Sequence, residues 1–196
     1  LRYKADAPPF RRARDQHKLA GLGGLVLLLM LTGTGVMLAL PKESDALLST
    51  MTGPADTLPT PRSSRREGRQ IPVSVAVAAA RKALPGARLA WIEVPGPGDG
   101  TFRLRMQQPG DPSRRFPHSF VWVDQYSGKV FAVHDRDRAG PLSRINSWVH
   151  PLHDGSFAGL GTRILTLVAG FIPLALFWTG LAQWRRKRTS RRSRGR

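Results

Sequence analysis

The sequence predicts a membrane α-helical protein with two transmembrane helices and a small α+β domain between them. Three observations carry this. Residues 19–40 and 164–184 contain no charged side chain, and each run matches the roughly 20 residues a helix needs to cross a bilayer core. Basic residues crowd the outer flanks of both runs, as flanking charge does when it sets topology. Between the runs, one segment with helical character is followed by short alternating segments set apart by Gly and Pro.

Residues 1–18 form a basic segment, with Arg2, Lys4, Arg11, Arg12, Arg14 and Lys18 against Asp6 and Asp15. It lacks an initiator Met and a signal-peptide pattern, so "LRYKADAPPFRR" reads as the continuation of something upstream. The first span, 19–40, closes at Pro41. Residues 41–70 are expected to be a linker, since "TGPADTLPTPRSSRREGR" is rich in Pro, Ser, Thr and charge. The α+β domain occupies 71–140. "IPVSVAVAAARKALPG" reads as a helix with proline in its first turn and "LPG" as its stop. "ARLAWIEV", "TFRLRMQ" and "HSFVWVD" read as strands, and "QYSGKVFAVHD" as a tight turn into a fourth. Residues 141–163 are a juxtamembrane segment holding His150 and His153. The second span, 164–184, contains Pro173, which predicts a kink. Trp148 stands outside one of its ends, with Trp178 and Trp184 at the other. Residues 185–196 carry eight Lys or Arg and no acid.

The formal net charge is +18. Because the excess lies beside the spans, the partner it implies is anionic membrane lipid and not nucleic acid. Orientation follows: both termini face the cytoplasm and 42–162 lies outside, in the periplasm of a Gram-negative-type cell. With no cysteine, disulfides, thiolate-held clusters and Cys-based zinc sites are excluded. "GLGG" lies within a span and "GPGDG" does not join a strand to a helix in the required way, so no nucleotide site is expected.

Histidine is the remaining source of site chemistry. Helical spacing puts His17, Gly21, Gly24, Leu28 and Gly35 on one face. Glycines there leave room for something flat or for a close neighbouring helix. His150 and His153 would share a face on a continuous helix, but Pro151 leaves that continuity open. Asp154 is placed to bind the His153 imidazole and fix its tautomer. His118 and His134 fall on the strands and read as polar-face residues. Arg163 reads either as an interfacial arginine or as a partner for a carboxylate.

The order of elements resembles the PepSY domain, whose last hairpin carries a turn like "DQYSGKV" (Asp124–Val130). The flanks, "RARDQHKLAGLGGLVLLLMLTGTG" and "PLHDGSFAGLGTRILTLVAGFIPLALFWTGLAQWRRKR", resemble the helices of the PepSY-associated transmembrane family. That family includes inner-membrane proteins of siderophore and iron uptake. The likeness covers nearly all of 11–188 and matches the C-terminal half of a four-span, two-PepSY arrangement. It implies b-type haem with His17 and His153 as iron ligands, His150 secondary, and Arg163 beside a propionate. It also implies transmembrane electron transfer for ferric-siderophore reduction at the inner membrane. His17 and His153 lie at opposite faces, so each iron would take a second imidazole from a missing N-terminal half or a homo-oligomer partner. The alternative is a membrane-anchored periplasmic binding or regulatory module without a cofactor.

Overall fold

From Pro9 to Ala39 nothing interrupts a helix: proline stands only at the first position and the rest is dominated by Leu, Gly, Arg and Ala. In the computed structural model, which describes residues 8–64 and 68–194, this stretch is one helix, α1 (Pro9–Ala39). It starts about ten residues before the apolar run because residues 11–18 are themselves good helix formers. Residues 1–7, with Arg2, Lys4 and Asp6, lie outside the described residues, as do 65–67 and 195–196.

The chain divides into two compact units, Leu1–Gly35 with His153–Arg196, and Val36–Leu152. The first is built from the apolar helices. Two stretches are long and apolar enough to cross a membrane, Arg11–Ala39 and Leu160–Arg186. Leu22, Val26, Leu29, Leu167 and Phe171 on them are largely exposed. A soluble protein would bury such a surface, whereas lipid solvates it. The second stretch is two helices, α5 (Leu160–Gly170) and α6 (Ile172–Arg194). The break falls at Phe171, two residues before the predicted kink at Pro173. The missing proline N–H and the restricted residue ahead of it disturb the turn that precedes the ring. Phe171 N–H bonds instead to the Val168 carbonyl at 3.0 Å. Trp178 and Trp184 are exposed on α6, and the Arg188 guanidinium lies 5.4 Å from the Trp184 ring centroid.

The second unit holds the α+β domain. Helix α3 (Val73–Ala83) packs on an antiparallel sheet of order β1-β2-β3-β4, with β1 (Arg88–Glu93), β2 (Thr101–Gln107), β3 (Ser119–Asp124) and β4 (Val130–His134). The alternation in "TFRLRMQ" sends Phe102, Leu104 and Met106 into the core and the arginines to the other face. Ala76 and Ala80, both fully buried, let α3 approach closely, and Val121 and Val123 complete the core. β3 is buried along its whole length: Val121 and Val123 face the core, and on the other face Phe120 lies beneath the Arg103 and Arg105 guanidinium groups.

Residues 41–70, expected to be linker, contain a helix, α2 (Pro41–Thr52). Pro41 starts it at a first-turn position and Glu43 sits in that turn, where both favour a helix N-terminus. The stretch after it is tied down as well. The Asp56 carboxylate accepts from Gly140 N–H at 2.9 Å, and Ser143 Oγ accepts from Asp56 N–H at 2.9 Å. Ser143 lies on α4 (Pro141–His153), whose Asn146 donates to Asp45 of α2 at 3.0 Å.

The "DQYSGKV" turn is held by Asp124, which accepts from the Ser127 N–H at 2.9 Å and from the Ser127 hydroxyl. Burial by itself raises the Asp124 carboxyl, but these hydrogen bonds outweigh it and hold it below the ordinary carboxylate value. A carboxyl depressed on folding adds stability above its unfolded value, and that stability is lost as pH falls through the folded value. Asp124→Asn is therefore expected to cost about 1 kcal/mol at neutral pH. It should also flatten the acid limb of the unfolding curve, read from tryptophan fluorescence between pH 7 and pH 2.

Candidate functional site

Within the helical unit, two histidines meet two threonines. His17 Nδ1 lies 2.9 Å from Thr179 Oγ1 of α6, and His153 Nδ1 lies 3.0 Å from Thr34 Oγ1 of α1. Each threonine precedes a glycine that gives its histidine room. A Cβ at Gly35 would meet His153 Cε1 at 3.2 Å, and one at Gly180 would meet His17 Cε1 at 3.6 Å. Each span thus offers a Thr-Gly pair to the histidine of the other.

The hydroxyl geometry assigns the tautomers. Thr34 Oγ1 donates to the Met30 carbonyl at 2.7 Å, and Thr179 Oγ1 donates to the Ala175 carbonyl at 2.7 Å. A hydroxyl has one proton, so each threonine can only accept from its histidine. With the hydroxyls so engaged, a neutral ring presents its N–H at Nδ1 and its lone pair at Nε2. A ring oriented through one nitrogen and left free at the other is the arrangement a metal-binding histidine needs.

The two rings stand far apart. The rise of α1 from His17 to Thr34, beside which His153 sits, is about 25 Å at ~1.5 Å per residue, so one iron cannot take both. The glycines of α1 serve the neighbouring helix. A Cβ at Gly24 would meet Ile172 Cδ1 at 2.6 Å, and Gly21 faces Leu176. Of the two uses that spacing leaves open, the close helix is the one seen for these glycines.

Asp154 does not hold His153. Its Oδ1 accepts from Ser156 N–H at 2.9 Å, and the imidazole meets Thr34 instead. The "LHDG" stretch is a helix end: α4 runs unbroken through Pro151 to His153, and Gly155 turns the chain at φ +71°. His150 and His153 are both on α4, yet their rings have different partners. His150 stacks on Phe116 with centroids 4.8 Å apart. Arg163 is exposed in the first turn of α5 and makes no ion pair among the described residues. Among the described residues no cluster of three or more His, Cys, Asp or Glu is placed to hold a bare metal ion.

His118 stands on the side of the sheet turned away from α3, the side of Phe120, Arg105 and His134. It precedes β3 and is half-buried. Burial first, then the positive charge of Arg105 and the neighbouring His150, His134 and Arg136, push it down to about 4.

Two spans, an antiparallel four-stranded sheet with one helix against it, and paired His and Thr-Gly positions in the spans are now all in place. The model of the PepSY-associated TM region family matches residues 1–187. The chain belongs to that family. As a PepSY-associated protein with two apolar helices of spanning length, it is a membrane protein. A search of curated proteins gives no match. In the PepSY-associated frame, the residues that sequence reasoning missed are Thr34 and Thr179. Their signal was available: Thr-Gly pairs, Thr32-Gly33 and Thr34-Gly35 in the first span and Thr179-Gly180 in the second, lie toward the end of each span far from that span's own histidine.

Proposed function

We propose that this protein is an inner-membrane component of haem-mediated electron transfer, with ferric-siderophore reduction in iron uptake as its task. The observation that supports it is the pair of His Nδ1–Thr Oγ1 contacts, His17 with Thr179 and His153 with Thr34, one near each end of the helical unit. The donor set fits b-type haem. Imidazole nitrogen is a standard axial ligand for haem iron, and a chain without cysteine has no thiol for covalent attachment.

His17 and His153 would each supply one axial nitrogen, and a second imidazole on each iron would come from another half or another copy. Haem iron, when bound, supplies one-electron exchange between its ferric and ferrous states. The chain's own residues prepare for that. Thr34 and Thr179 hold the ring planes and keep the proton on Nδ1. The apolar faces of α1 and α5 exclude water. Arg163, exposed in the first turn of α5, would meet a propionate. The PepSY module lies in the periplasm with both termini cytoplasmic, because the basic flanks stay inside.

Two measurements test this. Protein purified in detergent from its native membranes should show a Soret band and the sharp visible bands of low-spin, bis-imidazole haem. A colourless preparation would leave the cofactor-free binding or regulatory module standing. For topology, a reporter active only in the periplasm should work when inserted at Gly98 and be silent when fused after Arg196. The opposite pattern reverses the orientation.

A further inference from the structure

The face of the sheet turned away from α3 has a chemistry that the span histidines do not use. Strand register sets Trp91, Arg105, Phe120 and His134 in one cross-strand row. The Arg105 guanidinium lies 4.9 Å from the Phe120 ring centroid and 5.9 Å from that of Phe116. A guanidinium held by ring faces still has its N–H groups in its own plane, free to bind at the edge. Among the described residues Arg105 makes no ion pair. Glu93, the carboxylate that acts on it, is bonded to Arg103. Burial is the main cause that holds Arg105 below its ordinary value, with Arg103 adding to it. A cation that has given up part of its hydration without gaining a counter-charge is left with an unmet interaction. Trp91, next in the row, is 53% exposed and leaves the approach open on the β1 side.

We propose that this face is an oxyanion site, in which Arg105 binds a carboxylate or phosphate through two parallel N–H groups and Trp91 offers a flat wall to a planar substituent. Paired N–H donors match the two oxygens of either group. The Arg115 guanidinium lies 5.2 Å from the same Phe116 ring and makes no ion pair among the described residues, so a second cation beside Arg105 favours an anion over a neutral ligand. The site stands on the sheet and is independent of the haem proposal.

The test uses the full chain in nanodiscs at fixed ionic strength, titrated with inorganic phosphate and with benzoate. Tryptophan fluorescence and the Arg105 Nε–H NMR signal report binding. Saturable binding is expected, weakened on the order of tenfold or more by Arg105→Gln and unchanged by Arg114→Gln. Trp91→Ala should weaken benzoate more than phosphate, and it provides a folded check if Arg105→Gln lowers stability. Discs with phosphatidylglycerol are compared with discs of phosphatidylcholine alone. Competition by the anionic lipid identifies a lipid headgroup as the source, and equal affinities identify a free anion. The proposal is overturned if no titration saturates, or if Arg105→Gln binds both probes as the unaltered protein does.

Discussion

Replacing His153 with alanine is expected to remove one haem and spare the other, and His17→Ala to do the reverse. The separation of about 25 Å along α1 requires two independent sites, so neither loss should spread. Thr34→Val is the more discriminating change. It keeps Nε2 and removes the acceptor for Nδ1–H, the bond that orients the ring. Loss of such a supporting partner typically costs ~10–100-fold in metal affinity, so the Thr34→Val protein should lose haem on dilution while His153→Ala never binds it there. Absorbance titrations with haem measure both. Nitrogen-15 shifts of the His153 ring, recorded without haem, should move from the Nδ1–H form to a mixture of tautomers in Thr34→Val. His150→Ala should keep both haems, because that ring is stacked on Phe116. If His150→Ala loses a haem and His153→Ala does not, the assignment is reversed.

Gly155→Ala is expected to be nearly as damaging, through the backbone. At φ +71° an L side chain costs about 1–2 kcal/mol, and here space is lacking as well. A Cβ would meet Thr166 Oγ1 at 2.5 Å, the Thr162 carbonyl oxygen at 2.6 Å and Arg163 Cα at 3.0 Å. Two of these are backbone atoms, which cannot turn aside. Thr162 also donates its hydroxyl to the Gly155 carbonyl, so a shift breaks that bond too. The turn from α4 into α5 should open and carry His153 away from Thr34. A lower melting temperature in detergent, together with loss of the Nδ1–H signal of His153, is the expected pair of results. An unchanged melt with an unchanged signal would mean that the turn is not held as described.

Much of this fold is legible in the sequence because its signals are local. Uncharged runs of membrane length, the alternation of "TFRLRMQ" and the Ser-Gly turn each depend on near neighbours in the chain. α2 was hidden because "PKESDALLSTMT" is a mediocre helix former placed before a Pro-rich stretch. What holds it is remote, Asn146 reaching Asp45, and the stretch after it is held the same way, by Ser143 and Gly140 bonding Asp56. The candidate site divides in the same way. His17 and His153 stand out by motif, but their partners lie 162 and 119 positions away, and only the packed spans bring them together. Asp154 was a plausible neighbour by adjacency. The chain reverses there, and its carboxylate closes the turn.

The exchange of partners between the spans has a consequence for how the protein is made. Before the second helix has docked, the first exposes a histidine with no fixed tautomer and a threonine with nothing to receive, and the second is in the same condition. A cofactor offered at that stage would meet rings turning freely, at an entropic cost for every one it captured. Docking settles both ligands in a single event, so under the proposed haem-binding role an incompletely inserted chain would discriminate against haem and a finished one would accept it. Pulse-labelled membranes should show protease-resistant pairing of the spans before they show colour.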